Sequence, residues 1–287
     1  MKEYVVTEEM FLINFLRIYL TKLSKNNIKS LLSKEMVLVN NKVQTKYDFL
    51  VKKNDRITIR ETKIRGTKLK NDLKILYEDD DIIAINKPSG LLTIATSKEK
   101  EMTLYHIVMN YMKSKNKNNK IFIIHRLDKE TSGIVLFAKN QKAKNMFQKS
   151  WETNVKKRCY YAICEGIFDK KEGIIKSYLT ENSSFMVYST QNKKEGKLAV
   201  TTYKVCKETN NYSLLDIDIK TGRKNQIRVH LKEAGHVIVG DKKYGSNNNI
   251  INRMALHAYK LEFLNPITNR NTIIRTEMPT LFKKIIK

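Results

Sequence analysis

Ten glycines and three prolines leave this 287-residue chain few places where its backbone can turn sharply, and they are not scattered. Seven of the glycines, Gly90, Gly133, Gly166, Gly222, Gly235, Gly240 and Gly245, fall in five short segments. A chain this poor in glycine keeps it where positive φ or close backbone approach demands it. Those five segments are therefore predicted to be shaped loops and element ends, and they hold most of the residues able to do chemistry.

Between the loops, short apolar runs predict strands at 75–77, 82–85, 121–124, 133–138, 160–164, 214–219 and 260–263. Helical spacing predicts helices at 103–112, 142–153 and 224–233. Strands in runs with interspersed helices point to an α+β sheet domain over residues 73–287 rather than a regular βαβ series. Residues 1–61 form a separate small module. In it Phe11, Leu12, Phe15, Leu16 and Tyr19 recur at helical spacing. Ser24 stands as N-cap to a second helix carrying Ile28, Leu31 and Leu32 on one face. Asn40-Asn41 then separates two strand-like runs as a hairpin turn, and Arg56–Ile59 closes the module. Lys22, Lys25, Lys29 and Lys34 lie around the second helix, largely off its apolar stripe, as either a solvated face or an RNA contact. Residues 62–72 are charged and aperiodic, and are read as a linker.

Lys and Arg number 55 against 29 Asp and Glu, a formal net charge of +26. Such an excess is a statement about partners, and a polyanion is the natural one. No apolar run approaches the roughly 20 residues needed to span a bilayer. Glu8 and Glu9 stand where a signal peptide would carry its apolar core. Cys159, Cys164 and Cys206 are odd in number and show no paired framework, as in a reducing cytosol. A cytoplasmic protein is expected.

The densest constellation is His125-Arg126-Leu127-Asp128-Lys129-Glu130-Thr131-Ser132-Gly133, directly after the apolar run 121–124. A carboxylate between cations at the end of a buried strand can be an ordinary exposed salt bridge or a held reactive charge. Four segments accompany it: Asn86–Leu91, Arg158–Gly166, Thr221–Leu231 and Gly235–Gly245. Strand alternation aims one of Tyr160 and Tyr161 at a cleft. A helix after Thr221-Gly222 would gather Lys224, Arg228 and Lys232 on one face. No histidine spacing matches a metal-ligand signature, no phosphate-cradling glycine loop is present, and a Ser-His-Asp triad lacks its elbow. Neither a metal nor a cofactor is expected.

Taken in order, these segments resemble the motifs of the RluA family of RNA pseudouridine synthases, in the subgroup with an N-terminal S-four RNA-binding domain. Residues 125–133 are similar to "HRLDxxTSG", 86–91 to "NKPxGL", and 158–166 to "K/R-x-Y-x-A-x-x-x-G". Residues 221–231 are similar to "TGRxHQIRVHL", 235–245 to "GHPIxGDxxYG", and 253–258 to "RxxLHA". Leu38-Val39-Asn40-Asn41-Lys42 is similar to the "L-V-N-G-K" of S-four domains. The resemblance implies a small S-four-like domain, then a catalytic domain built on a mixed, largely antiparallel sheet flanked by helices. It implies that Asp128 is the catalytic carboxylate. Tyr160 would pack on the target uracil and assist late proton removal from carbon-5, and Arg228 would pair with Asp128. Arg126 would help expel the uridine and fill the gap it leaves. Substrate contacts are implied for His125, Lys87, Thr131, Arg223 and Gln226, and RNA contacts for Lys22, Lys25, Lys29 and Lys34. The departures are Asn225 for histidine, Glu130 for a frequent aspartate, Val237 for proline, Asn265 for histidine before Pro266, and Asn41 for glycine.

The residue types suit this reaction on chemical grounds as well. Breaking the glycosidic bond of uridine builds positive character on the sugar, which an ionised carboxylate stabilises or attacks. A guanidinium beside a carboxylate favours its charged form. The leaving uracil stays bound, so no second carboxylate is needed to activate water. The leading expectation is a monomeric enzyme isomerising uridines of large-subunit ribosomal RNA. The rival is a non-catalytic RNA-binding or ribosome-assembly protein, and a glycoside hydrolase lacks its second carboxylate.

Overall fold

The helical spacing of Leu12, Phe15 and Leu16 buries all three side chains in one core with Ile28, Leu32, Val37 and Ile57. That core belongs to the first of two units, Met1–Lys68 and Leu69–Lys287, into which the chain divides. The computed structural model describes residues 2–21, 23–33, 36–59, 73–95, 103–248 and 250–287. The linker expected over 62–72 lies outside the described residues, as do Lys22 and Lys34.

In the first unit, helices Leu12–Tyr19 and Lys25–Ser33 accompany an antiparallel sheet ordered Lys2–Val5, Arg56–Ile59, Val37–Val39 and Lys42–Val43. Ser24 Oγ accepts from the Asn27 amide at 3.3 Å, the cap its position suggested. Asn40 and Asn41 have φ of 48° and 67°, the paired left-handed conformations of a tight hairpin. Asparagine reaches that region without glycine. Asn40 also accepts from the Arg56 amide at 2.9 Å and donates to Asp55 at 2.8 Å.

In the second unit, eleven strands among the described residues form one sheet. Its main path runs 187–190, 172–181, 197–208, 212–219, 155–165, 256–264, 132–138, 82–87, 75–78, with 271–275 and 122–123 as side strands. Every pairing is antiparallel except that of Ser132–Ala138 with Leu256–Leu264. The sheet is thus mixed and largely antiparallel. Helices Leu104–Lys115, Gln141–Asn154, Gln226–Glu233 and Thr280–Ile285 accompany it. Among the described residues, no helix is long and apolar enough to cross a membrane.

Four strands carry no signal in the apolar pattern: Glu172–Glu181, Val187–Thr190, Lys197–Glu208 and Asn271–Arg275. In Lys197–Glu208 the inward row includes Thr201, fully buried yet polar, which interrupts the alternation. In Glu172–Glu181, Ile174 is 70% exposed, so the apolar residue points the wrong way for a core strand.

The parallel seam lies within the second unit's sheet, between Leu256–Leu264 and Ser132–Ala138. Only Ser132↔His257 and Gly133↔Ala258 pair there. Gly133 takes φ +114°, and a Cβ on it would stand 2.1 Å from the Ala258 carbonyl oxygen and 2.6 Å from its nitrogen. The glycine closing the 125–133 run is what lets the two backbones meet. Gly133→Ala is expected to cost about 3 kcal/mol or more of unfolding free energy, from strain and backbone displacement together. Urea denaturation checks this; a loss under about 1 kcal/mol would mean the seam can spread.

Candidate active site

Residues 125–131 lead into the parallel seam and are fastened from below by the 86–93 segment. The Lys87 ammonium is fully buried and donates to the carbonyls of Pro88 at 3.0 Å, Leu91 at 2.7 Å and Lys129 at 3.0 Å. Ser89 donates its hydroxyl to the Glu130 carbonyl at 2.6 Å. Thr93 donates to the Leu127 carbonyl at 2.8 Å and accepts from the Leu127 amide at 3.2 Å. Asp128 closes a turn by accepting from the Thr131 amide at 3.2 Å. The backbone of the run is thereby pinned on both sides of Asp128, whose side chain stays 33% exposed.

Sheet order brings the other walls to it. Ala258 pairs with Gly133 on one side and Tyr160 on the other, so Tyr160 stands one strand from the seam. A bulge beside Tyr160 skips Tyr259. Bulges re-aim side chains next to functional sites. Tyr160 faces the cleft, whereas Tyr161 stacks on Tyr259 with centroids 3.9 Å apart. Burial pushes the Tyr160 phenol up to about 12, with Arg158 opposing and Asp128 adding to the shift. The ring thus lines the cleft at the position where the resemblance sets a residue that packs on the uracil and assists late proton removal.

The third wall is the 221–226 turn. Gln226 uses every donor and acceptor it has. It accepts from the Thr221 hydroxyl at 2.8 Å and the Arg223 amide at 3.0 Å, and donates to the Val200 carbonyl and Thr201 hydroxyl, both at 3.0 Å. Asn225 takes φ +53°, which ends the turn and starts the helix at Gln226 rather than at Lys224. Lys224 therefore lies outside the helix, and the three-cation face expected of it is not formed. Asparagine suits this left-handed position. It also donates to the Tyr244 hydroxyl at 3.0 Å and accepts from Arg228 at 3.2 Å, so the departure from histidine leaves a satisfied hydrogen-bond set.

Arg228 is 8% exposed and shared unequally between two carboxylates. Asp241, itself 1% exposed, takes its Nε at 2.7 Å and Nη2 at 2.6 Å in a bidentate pair. Asp128 Oδ2 lies 3.6 Å from Nη1. Burial works against the guanidinium charge, but the Asp241 hydrogen bonds and charge, and then Asp128, raise its pKa above the ordinary arginine value. The expected Arg228–Asp128 pairing is present, yet it is the looser of two. Asp241 was missed. Its only sequence signal is an acid directly after Gly240 in a glycine-bounded loop.

The resulting cleft, of about 90 Å³, is lined by Asp128, Arg126, Thr131, Tyr160, Arg223 and Arg228 among others. Arg126 is exposed at its rim. Three residues expected at the substrate do other work. Lys87 has given its donors to carbonyls, and burial draws its amine down to about 7 against the pull of Glu130 and Asp128. Gln226 is saturated by its own turn. His125 accepts from the Leu136 amide at 3.1 Å and stacks on Trp151 at 4.9 Å. Burial lowers its pKa to about 3, with Arg158 adding to the effect. These three position the walls. Among the described residues, no group of three or more His, Cys, Asp or Glu side chains could hold a metal.

The profile of the family described as RNA pseudouridylate synthase matches residues 81–233. The chain is 32% identical over 273 residues to the RNA pseudouridine synthase YhcT of Bacillus subtilis, covering 93% of this chain and 89% of that one. It is 29% identical over 290 residues to ribosomal large subunit pseudouridine synthase C of Rickettsia bellii, covering 94% and 95%. The solved structure of human RNA pseudouridylate synthase domain containing 4 is alike in fold, with a TM-score of 0.63 at 23% identity over 76% of this chain and 94% of that one. The chain belongs to the RNA pseudouridylate synthase family. It is an RNA pseudouridine synthase, an enzyme that isomerises uridine.

The two carboxylates around Arg228 should separate cleanly in stability. Asp241→Asn breaks a buried bidentate pair and is expected to cost about 3 kcal/mol. Asp128→Asn, at a partly exposed 3.6 Å contact, should cost under about 1 kcal/mol. Urea titration of both variants checks this; equal losses would show that Arg228 leans on both acids alike.

Proposed function

We propose that this enzyme converts uridines of large-subunit ribosomal RNA to pseudouridine in the bacterial cytoplasm, acting as a monomer, with Asp128 as its catalytic carboxylate. The observation that carries the reading is Asp128 itself. Its carboxylate is partly open to solvent and shares a cleft with Tyr160, 3.6 Å from a guanidinium that is otherwise engaged. A target uridine everted into that cleft would meet the carboxylate at its ribose and the Tyr160 ring at its base. Unpairing and unstacking the nucleotide costs a few kcal/mol, which contacts to the phosphate backbone offset. Arg126, exposed at the rim, is placed to occupy the vacated position in the RNA. Arg228 supports the negative charge of Asp128, and Thr131 and Arg223 complete the wall facing the nucleotide.

Likeness to ribosomal large subunit pseudouridine synthase C of Rickettsia bellii supports the choice of substrate. We read the first unit, with its helix pair and Asn40-Asn41 hairpin, as an S-four-like RNA-binding domain. Lys25 and Lys29 on its second helix are exposed, and Lys29 lies 5.7 Å above the ring of Tyr47. A flat aromatic beside cations suits a nucleic acid. A purely RNA-binding protein would need that surface, but it would have no use for a carboxylate held among arginines.

Tritium release from RNA labelled at carbon-5 of uracil tests the reaction. Wild type should release label from large-subunit ribosomal RNA, and Asp128→Asn should lower the rate at least about 1,000-fold while still binding. Comparable release by both proteins would remove Asp128 from the chemistry. For the first unit, the double substitution Lys25→Ala/Lys29→Ala should weaken RNA binding and reduce the slope of log affinity against log salt by up to about 2. An unchanged slope in filter-binding titrations would mean these lysines touch no phosphate.

A further inference from the structure

Phe185 is an aromatic side chain in a place that favours none. It is 69% exposed, at the tip of the turn joining Glu172–Glu181 to Val187–Thr190. Its backbone φ is +60°, a region that bulky residues rarely occupy and that glycine or asparagine takes freely. The turn is nonetheless well held. Asn182 accepts from the amides of Ser184 at 3.0 Å and Met186 at 2.9 Å through its side chain, and from the Phe185 amide at 2.9 Å through its carbonyl. The ring is thus presented outward by a fixed turn.

Two ammonium groups lie close to this residue. Lys224 Nζ lies 5.5 Å from the ring centroid and also pairs with Glu181, and Lys243 donates to the Phe185 carbonyl at 2.7 Å. A short chain of bonds connects the turn to the cleft. The Val187 carbonyl accepts from the Tyr244 hydroxyl at 3.2 Å, and Tyr244 accepts from Asn225, which accepts from Arg228. Lys243 is held below the usual lysine range first by partial burial, then by the charges of Arg228 and Lys224, with Glu181 and Asp128 acting against them. The turn is therefore within electrostatic reach of Asp128.

We propose that Phe185 is a stacking platform for an unpaired RNA base flanking the target uridine, with Lys224 and Lys243 taking the phosphates on either side. Everting one nucleotide leaves its neighbours without a stacking partner, and an aromatic ring accepts any base because every base has a π face. Ammonium groups beside the ring and at its backbone carbonyl suit a polyanion better than an apolar protein surface. The proposal rests on RNA being bound at the Asp128 cleft.

The test uses the full-length protein and a large-subunit ribosomal RNA transcript labelled with tritium at carbon-5 of uracil. Phe185→Asn keeps a residue at ease with left-handed φ and removes the ring. It should raise Kd about 5- to 150-fold, the equivalent of roughly 1–3 kcal/mol per stacked base at 1.4 kcal/mol per decade. The salt slope should not change, because no charge is lost. Phe185→Trp should restore affinity and add an emission quenched by RNA, beyond that of the single native Trp151. A Phe185→Asn affinity within about two-fold of wild type, or an unquenched Phe185→Trp, overturns the platform. Tritium release in the same reactions keeps the two readings apart. Release by wild type with unchanged Phe185→Asn affinity removes the platform alone. Weakened Phe185→Asn affinity without release removes the enzymatic reading alone.

Discussion

Arg228 is buried, always charged, and would be ruinous to the fold if left alone, so the architecture around it is arranged to keep it paired. Asp241 supplies the pairing in bidentate form and is itself buried, so neither charge can leave without the other. Delivering Asp241 takes a loop that approaches closely. Gly240 before it has φ +75° and leaves only 2.2 Å between a would-be Cβ and the Arg253 carbonyl oxygen. The consequence reaches the reaction. A guanidinium anchored through Nε and Nη2 has only Nη1 to turn toward Asp128, and cannot close on it as a second bidentate pair. Asp128 is held near one guanidinium nitrogen without being consumed by a bidentate salt bridge, and its side chain stays partly exposed in the cleft lining.

The rest of the cleft follows the same economy of freedom. Lys87, Gln226, Ser89 and Thr93 spend their polar atoms on backbone groups of the loops that carry Asp128 and Arg223. Each of these bonds removes a way for the walls to move. Electrostatic stabilisation of a developing charge works best when the stabilising groups do not have to reorganise as the charge appears. Such walls answer that need. Arg126 is exposed by comparison, as the side chain proposed to enter the RNA would have to be.

How much of this the sequence disclosed depends on the kind of interaction. The Ser24 cap, the Asn40-Asn41 turn and the buried strand Ser132–Ala138 follow from local rules, since spacing and turn chemistry are written in neighbouring residues. Asp128 and Tyr160 were singled out only by the resemblance of their segments, since a strand end alone allows an ordinary salt bridge and alternation left open which of Tyr160 and Tyr161 faces the cleft. What was not legible is what depends on distant partners. Lys87 reads as a cation near a catalytic loop, and only the fold reveals that three carbonyls surround it. Gln226 reads as a polar contact, and only its turn reveals that it is saturated. Asp241 lies 113 positions from Asp128 in sequence, so no local pattern could announce that both share Arg228. The strands at 172–181 and 197–208 were hidden by an outward isoleucine and an inward threonine, each correct for its neighbours across the sheet and misleading alone.

The charge balance poses a problem that this geometry resolves. A chain of net charge +26 attracts RNA at long range, but the group proposed to react is a carboxylate meeting a polyanion. Repulsion between Asp128 and the phosphates of the everted nucleotide would oppose entry unless countered within a few ångströms, since screening leaves distant surface lysines little influence there. The cleft lining sets Arg126, Arg223 and Arg228 beside Asp128, three guanidinium groups to two carboxylates once the Asp241 that binds Arg228 is counted. Guanidinium suits this task better than ammonium because it stays charged when partly buried and bonds through a planar fork. Lys87 illustrates the alternative, for its amine is drawn down to about 7 by burial in the same neighbourhood. A lysine in place of Arg228 would be exposed to that same loss of charge, and the carboxylate proposed to perform the chemistry would then face the RNA unsupported.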